Sequence, residues 1–92
     1  MDIAWDPKKA AANVSAHGVS FAEAATVLSD DRALTREDRD ALGEQRFVSL
    51  GISATGALLV VVYTYREPDT IRLISAWKAH KPRRKPYEKS QR

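Results

Sequence analysis

Residues 58–62, Leu-Leu-Val-Val-Val, constrain the fold more than any other segment of this 92-residue chain. An unbroken run of branched aliphatic side chains is typical of a strand that is covered on both faces, at the centre of a sheet. The wider apolar stretch, residues 57–63, has seven residues, whereas a helix that crosses a bilayer needs about 20. The run therefore predicts the central strand of one small globular domain, and we expect no membrane segment.

The segments around this run predict an antiparallel sheet. The turn Ser53-Ala54-Thr55-Gly56 joins two such segments as a hairpin, and the charged residues 36–43 are expected to be a solvated loop. Three or four strands are predicted in total, over residues 33–35, 44–52, 57–65 and 70–76. Connections this short cannot make the crossover that parallel strands need, so antiparallel pairing is expected throughout.

Two helices precede the strands. Asp6 and Pro7 are typical of a helix start and Gly18 of a helix end, which predicts a first helix over residues 8–17. Ser20-Phe21-Ala22-Glu23 has the capping-box pattern that opens a second helix. The fold class expected from these elements is α+β, with both helices packed on one face of a three- to four-stranded antiparallel sheet. Residues 1–78 are predicted to form this single domain.

The net charge of +3 is the sum of two unlike parts. Residues 1–76 carry a net charge of −3, and residues 77–92 carry +6. A basic end of this kind favours a polyanion or an acidic protein surface as partner, although it could also be a solvated tail. Pro82 and Pro86 oppose a continuous helix there, so we expect residues 79–92 to be an irregular or mobile basic tail.

The chain lacks the residues that several classes of enzyme chemistry require. The chain has no cysteine and only two histidines, and its four glycines are scattered, so neither a thiolate site, a metal site nor a phosphate loop is expected. A Gly-x-Ser-x-Gly elbow is also missing. The N-terminus has no basic region followed by an apolar one, which argues against a signal peptide and favours a cytoplasmic protein. We expect no cofactor and no metal.

Cationic and aromatic residues remain, and they fit cleavage of RNA by its own 2′-hydroxyl. Arg46 and Arg72 are candidates for clamping the phosphate, because a guanidinium fork matches phosphate geometry. The general base could be Glu44, His17 or His80. An aromatic residue, Trp77 or Tyr87, could stack on a base.

Structural roles explain the same residues without any chemistry. Strand arginines are more often solvated or ion-paired than catalytic, and His17 suits the negative end of the first helix. Trp77 could simply pack, and Glu44 could screen a strand edge.

Blocks of sequence along most of the chain resemble the BrnT family. The first block is Trp5-Asp6-Pro7-Lys8, followed by Asn13 and by His17-Gly18-Val19-Ser20-Phe21-Ala22-Glu23-Ala24. Later blocks are Glu44-Arg46-Phe47 with Gly51, Leu59-Val60-Val61-Val62-Tyr63-Thr64, Arg72-Leu73-Ile74-Ser75-Ala76 and Tyr87-Glu88. Their order and spacing, from about residue 3 to residue 78, make the resemblance specific.

The resemblance implies a ribonuclease toxin of a type II toxin–antitoxin system, with a RelE-like fold. It implies RNA cleavage that arrests translation and growth, and neutralisation by a BrnA-type antitoxin in a hetero-oligomer. Operator DNA would then be bound only indirectly, through the antitoxin.

Residues that match family blocks include Arg46, Arg72, Ser75, Lys78 and His17. The predicted catalytic set is Arg46, Arg72, Lys78, His17 and Glu44. The predicted RNA-binding set is Trp77, His80, Lys81, Arg83, Arg84 and Tyr87. Trp77 departs from the family pattern, which usually has an arginine there, so one alternative is a toxin weakened by Trp77. The other alternative is a non-catalytic module that uses the basic tail to bind nucleic acid or a protein.

Overall fold

The computed structural model describes residues 1–80 of the chain. Its elements in chain order are β1 (Asp2–Ala4), α1 (Pro7–His17), α2 (Phe21–Val27), β2 (Leu34–Asp38), β3 (Arg46–Ile52), β4 (Leu58–Arg66) and β5 (Thr70–Lys78). The predicted RNA-binding residues Lys81, Arg83, Arg84 and Tyr87 lie outside the described residues, as does most of the predicted basic tail.

The five strands form one mixed sheet in the order β1-β5-β4-β3-β2. This corrects the prediction of three or four antiparallel strands, because β1 pairs parallel to β5, with Ile3 opposite Ile71. The two intervening helices and three strands supply the long connection that parallel pairing needs. The α+β class and the two N-terminal helices are confirmed.

The second strand extends further than the sequence predicted, into charged residues. The segment Arg36-Glu37-Asp38 was predicted to be a loop, but it continues β2, whose edge is exposed. Charges on an edge strand discourage pairing with other chains, so they are compatible with a strand at this position. Hydrogen bonds between hydroxyl groups connect β2 to the next two strands of the sheet. Thr35 Oγ1 lies 2.8 Å from Ser49 Oγ of β3, which lies 2.9 Å from Tyr63 Oη of β4.

The predicted helix ends are confirmed. The Asp6 carboxylate accepts a hydrogen bond from the Lys8 amide at 3.0 Å, and Gly18 ends α1 with φ of 70°. Ser20 Oγ accepts from the Glu23 amide at 3.0 Å and begins α2. The Glu23 side chain points elsewhere, however, and accepts hydrogen bonds from the turn between β3 and β4.

That turn holds Glu23 through two hydroxyls. Thr55 Oγ1 donates to Glu23 Oε2 at 2.6 Å, and Ser53 Oγ donates to the same oxygen at 2.8 Å. Both bonds favour the ionised carboxylate and lower the pKa of Glu23 below its ordinary value of 4.5. Glu23, in the first turn of α2, thereby fixes the helix to the sheet.

The central strand β4 is buried on both faces, as residues 58–62 predict. On the helix side, Leu59 and Val61 pack in the core with residues of α2, of which Phe21 is 1% exposed. On the opposite face, Val60 is fully buried in a second apolar cluster with Leu58 and Val62. The sheet therefore has an apolar centre on each face, and its charged residues lie toward the strand ends.

Candidate nucleic-acid interface

A β-bulge in β5 decides where the predicted site residues face. The pairing of β4 with β5 shifts register between Val62 and Tyr63, so that Tyr63 lies opposite Leu73 but Val62 lies opposite Ser75. One extra residue reverses the alternation of faces beyond it. Without the bulge, Arg72 and Lys78 would share a face, because they are an even number of positions apart.

The bulge instead places Arg72 and Trp77 on the face of the second apolar cluster and Lys78 on the face that α2 covers. Arg72 lies opposite Thr64, and Trp77 lies opposite Val60 of the second apolar cluster. Six positions along one strand correspond to about 20 Å at ~3.3 Å per residue. The predicted catalytic set is therefore divided between two ends of β5, and one phosphate cannot contact both ends.

The first group is an arginine cluster, which we define as Glu44, Arg46, Arg66 and Arg72 around Thr64. Thr64 pairs with Arg72, and the pairing of Phe47 with Tyr63 puts Arg46 beside Thr64 on its other side. Thr64 itself is 2% exposed. Two strand spacings separate the arginines, so their α carbons lie about 10 Å apart, which lets both guanidinium groups reach one phosphate.

Glu44 organises the cations of this cluster. Its carboxylate lies 2.9 Å from Arg66 Nη2 and 3.7 Å from Arg46 Nε. The second distance is too long for a hydrogen bond, and the buried Arg46 Nε has no hydrogen-bond acceptor among residues 1–80. Ion pairing, the structural role expected of a strand arginine, is thus present at Arg46 and Arg66. The Arg46 side chain is 35% exposed, so the rest of its guanidinium can still contact an anionic ligand.

Asn13 fastens α1 to the edge of β5, a role that the sequence analysis missed. Its Nδ2 donates to the carbonyl oxygens of Val19 at 2.9 Å and Ala76 at 2.8 Å. Its Oδ1 accepts from the Ala76 amide at 3.1 Å and from Ser75 Oγ at 3.2 Å. The sequence did contain a signal of this tertiary role. Asparagine is a weak helix former, and Asn13 stands inside an alanine-rich helix.

The second group lies where α1 ends beside β5. The His17 and Trp77 ring centroids are 6.0 Å apart, with the ring planes at 46°. Together with Ala16 and Lys78 these residues line an open cleft of about 590 Å³, which we call the terminal cleft. A smaller groove of about 290 Å³ continues from it along α1 to Lys9.

His80, predicted as a candidate base and as an RNA-binding residue, lies apart from both groups. His80 is exposed just beyond β5, outside the residues that line the terminal cleft. Within residues 1–80, no group of three or more histidine, aspartate or glutamate side chains could hold a metal ion. No helix of that part of the chain is long and apolar enough to cross a membrane.

The fold and these groups define a small α+β domain with clustered arginines at one end of its last strand and an aromatic, cationic cleft at the other. A sequence model of the family described as "Ribonuclease toxin, BrnT, of type II toxin-antitoxin system" matches residues 5–82. The chain belongs to this BrnT family of ribonuclease toxins, as its sequence blocks predict.

A solved structure is similar to most of the domain. The 1.1 Å crystal structure of the Brucella abortus ribonuclease toxin BrnT is 23% identical in sequence, with a TM-score of 0.70. The match covers 88% of this chain and 99% of that chain, which supports the same fold. No curated protein matches the chain in sequence.

Proposed function

We propose that this chain is an endoribonuclease that cleaves RNA without a metal, by attack of a 2′-hydroxyl on the adjacent phosphate. Its membership of a family of ribonuclease toxins supports an RNA substrate. The observation that carries the mechanism is the arginine cluster, where Arg46 and Arg72 flank the buried Thr64 and the Arg46 side chain is 35% exposed. Two guanidinium groups so placed can hold the non-bridging oxygens of one phosphate.

The cluster also has the groups that this reaction requires. Glu44 lies between Arg46 and Arg66, where its carboxylate accepts the proton of the attacking 2′-hydroxyl. The 2′-oxygen bonds to phosphorus, the bond from phosphorus to the 5′-oxygen breaks, and that oxygen takes up a proton from water. Glu44 then returns its proton to the solvent. Negative charge grows on the phosphorane in the transition state, so the arginines stabilise it more than the ground state. The products are a 2′,3′-cyclic phosphate and a 5′-hydroxyl.

His17 and Lys78 receive binding roles in this proposal. They lie about 20 Å along β5 from the arginine cluster, too far to act on the same phosphate. With Trp77 and His80 they instead contact the RNA strand several nucleotides away. If RNA binding and RNA cleavage take place at different ends of β5, the two ends can both serve one reaction. This explains why the predicted catalytic residues lie in two groups.

The partner and the cellular effect follow from the family. We propose that a BrnA-type antitoxin binds the toxin in a hetero-oligomer and keeps RNA from the arginine cluster. Cleavage of cellular RNA by the free toxin in the cytoplasm then arrests translation and growth. Operator DNA is bound only through the antitoxin.

The test is cleavage of total RNA by the purified chain in excess EDTA. Arg72→Gln and Arg46→Gln are each expected to lower the cleavage rate by at least about 100-fold, the usual effect of losing one transition-state donor. Arg39→Gln is the matched control, because Arg39 is exposed and lies in the loop after β2. Cleavage that EDTA abolishes, or that Arg72→Gln leaves unchanged, contradicts the proposal. RNA that is bound but left intact by both the wild type and Trp77→Arg indicates a non-catalytic module.

A further inference from the structure

We propose that the terminal cleft binds an unpaired nucleobase, which stacks on Trp77 and makes single-stranded RNA the preferred substrate. The proposal rests on the proposed function only in taking RNA as the ligand. A base inside a duplex has its faces covered by its neighbours, so a protein ring can stack on it only when it is unpaired or at an end.

The ring geometry fixes where the base lies. A base held between two rings needs about 7–8 Å between them, which is two carbon contacts of ~3.5–4 Å. The centroids of His17 and Trp77 are only 6.0 Å apart and tilted by 46°, so no base fits between them. The base therefore lies on the open side of the cleft, with its face on the part-buried indole and its edge toward the imidazole.

Small side chains and a helix end leave room for it. Ala16 lines the cleft and Ala12 the adjoining groove, so two of the α1 residues beside this site carry only a methyl group. Gly18, in the left-handed conformation, turns the chain away immediately after His17. The volume of about 590 Å³ falls within the ~300–1,000 Å³ of small-molecule sites.

The charges orient the nucleotide. The C-terminal end of a helix has a partial charge of about −0.5, which repels phosphate and attracts the amino group of a base. Lys78 beside the cleft and Lys9 along the groove offer the positive charge for the flanking phosphates. Glu23 attracts Lys78 electrostatically from α2, whereas Lys9 lines the groove away from that carboxylate. The base consequently points its amino edge at the helix end, which favours adenine over uracil.

The test uses a labelled 2′-O-methyl tetraadenylate, which cannot be cleaved because it has no free 2′-hydroxyl. Its binding is measured by fluorescence anisotropy, beside a tetrauridylate and an abasic strand with the same phosphates. Trp77→Leu is expected to weaken tetraadenylate binding by at least about five-fold, the low end of the loss for one stacked base, whereas Trp77→Phe stays within about two-fold. Trp5→Phe is the control for tryptophan loss, because Trp5 packs on Phe21.

The neighbouring lysines provide a second matched pair. Lys9→Gln is expected to weaken the tetraadenylate and the abasic strand alike, and Lys8→Gln to weaken neither, since only Lys9 lines the groove. Equal binding by Trp77→Leu and the wild type, with unchanged melting temperatures, overturns the proposal. So does an abasic strand that binds as tightly as the tetraadenylate. The probe cannot be cleaved, so this binding result does not depend on whether the protein cleaves RNA. A failure of RNA cleavage therefore contradicts only the proposed function.

Discussion

Replacing Asn13 with alanine is expected to destabilise the protein by about 3 kcal/mol. The change removes the partners of three buried backbone groups: the amide and carbonyl of Ala76 and the carbonyl of Val19. Ala76 and Val19 are both fully buried, so water cannot easily replace the lost bonds. Each orphaned group costs about 1–1.5 kcal/mol, and the better helix propensity of alanine returns about 0.6 kcal/mol.

Urea unfolding followed by circular dichroism measures this loss. For a chain of this size the slope is about 1–1.5 kcal/mol per M, so the midpoint is expected to fall by about 2–3 M with the slope unchanged. Ser15→Ala is the matched control, because Ser15 is exposed on the same helix, and its midpoint is expected to rise slightly or stay constant. A loss below about 1 kcal/mol for Asn13→Ala would refute the reasoning that this side chain fastens α1 to β5.

Two further predictions concern how α2 meets the sheet. The pKa of Glu23 is lowered by hydrogen bonds from Thr55 and Ser53, so its contribution to stability is present above pH 4.5 and is lost as the pH falls through the folded-state pKa. The difference in urea midpoint between the wild type and Glu23→Gln is therefore expected at pH 7 and should shrink below pH 4.5; a difference independent of pH contradicts this. Gly51→Ala is expected to lower the free energy of unfolding by about 1–3 kcal/mol, because the new Cβ lies 2.9 Å from Asp30 Oδ2 and 3.0 Å from Val27 Cγ1. An unchanged melting temperature for Gly51→Ala contradicts this close approach.

Sequence motifs predicted the helices and strands whose ends are fixed by hydrogen bonds between residues close in sequence. Asp6, Gly18 and Ser20 cap helices through contacts within a few residues, and the turn at residues 53–56 joins its two strands directly. The unbroken apolar run likewise identifies the central strand from composition alone. Each of these features depends on neighbours in sequence, so reading the sequence recovers them.

The remaining strands depend on partners far along the chain. β1 has three exposed residues and is held by parallel pairing with β5, which no pattern within residues 2–4 indicates. The charged residues of β2 are typical of a loop, and only their pairing with β3 identifies them as a strand. The last strand extends to Lys78, two residues beyond its predicted end, where Leu59 lies opposite it.

The candidate site was predicted by residue type and not by arrangement. Arg46 and Arg72 were predicted to clamp the phosphate, and the register places both beside Thr64. The split between Arg72 and Lys78 arises from the bulge in β5, and one extra residue in a strand leaves no mark in the apolar pattern of Leu73-Ile74-Ser75-Ala76. The assignments of RNA cleavage and RNA binding to these residues stay predictions.

The ends of the RNA fragments test the central claim most directly. A short single-stranded RNA is incubated with the purified chain in EDTA, and its fragments are identified by mass spectrometry. Attack by the 2′-hydroxyl, held at Arg46 and Arg72 with Glu44 as base, predicts 2′,3′-cyclic phosphate and 5′-hydroxyl ends, and no cleavage of the 2′-O-methyl strand. Fragments with 3′-hydroxyl and 5′-phosphate ends, or cleavage of the 2′-O-methyl strand, would contradict the account.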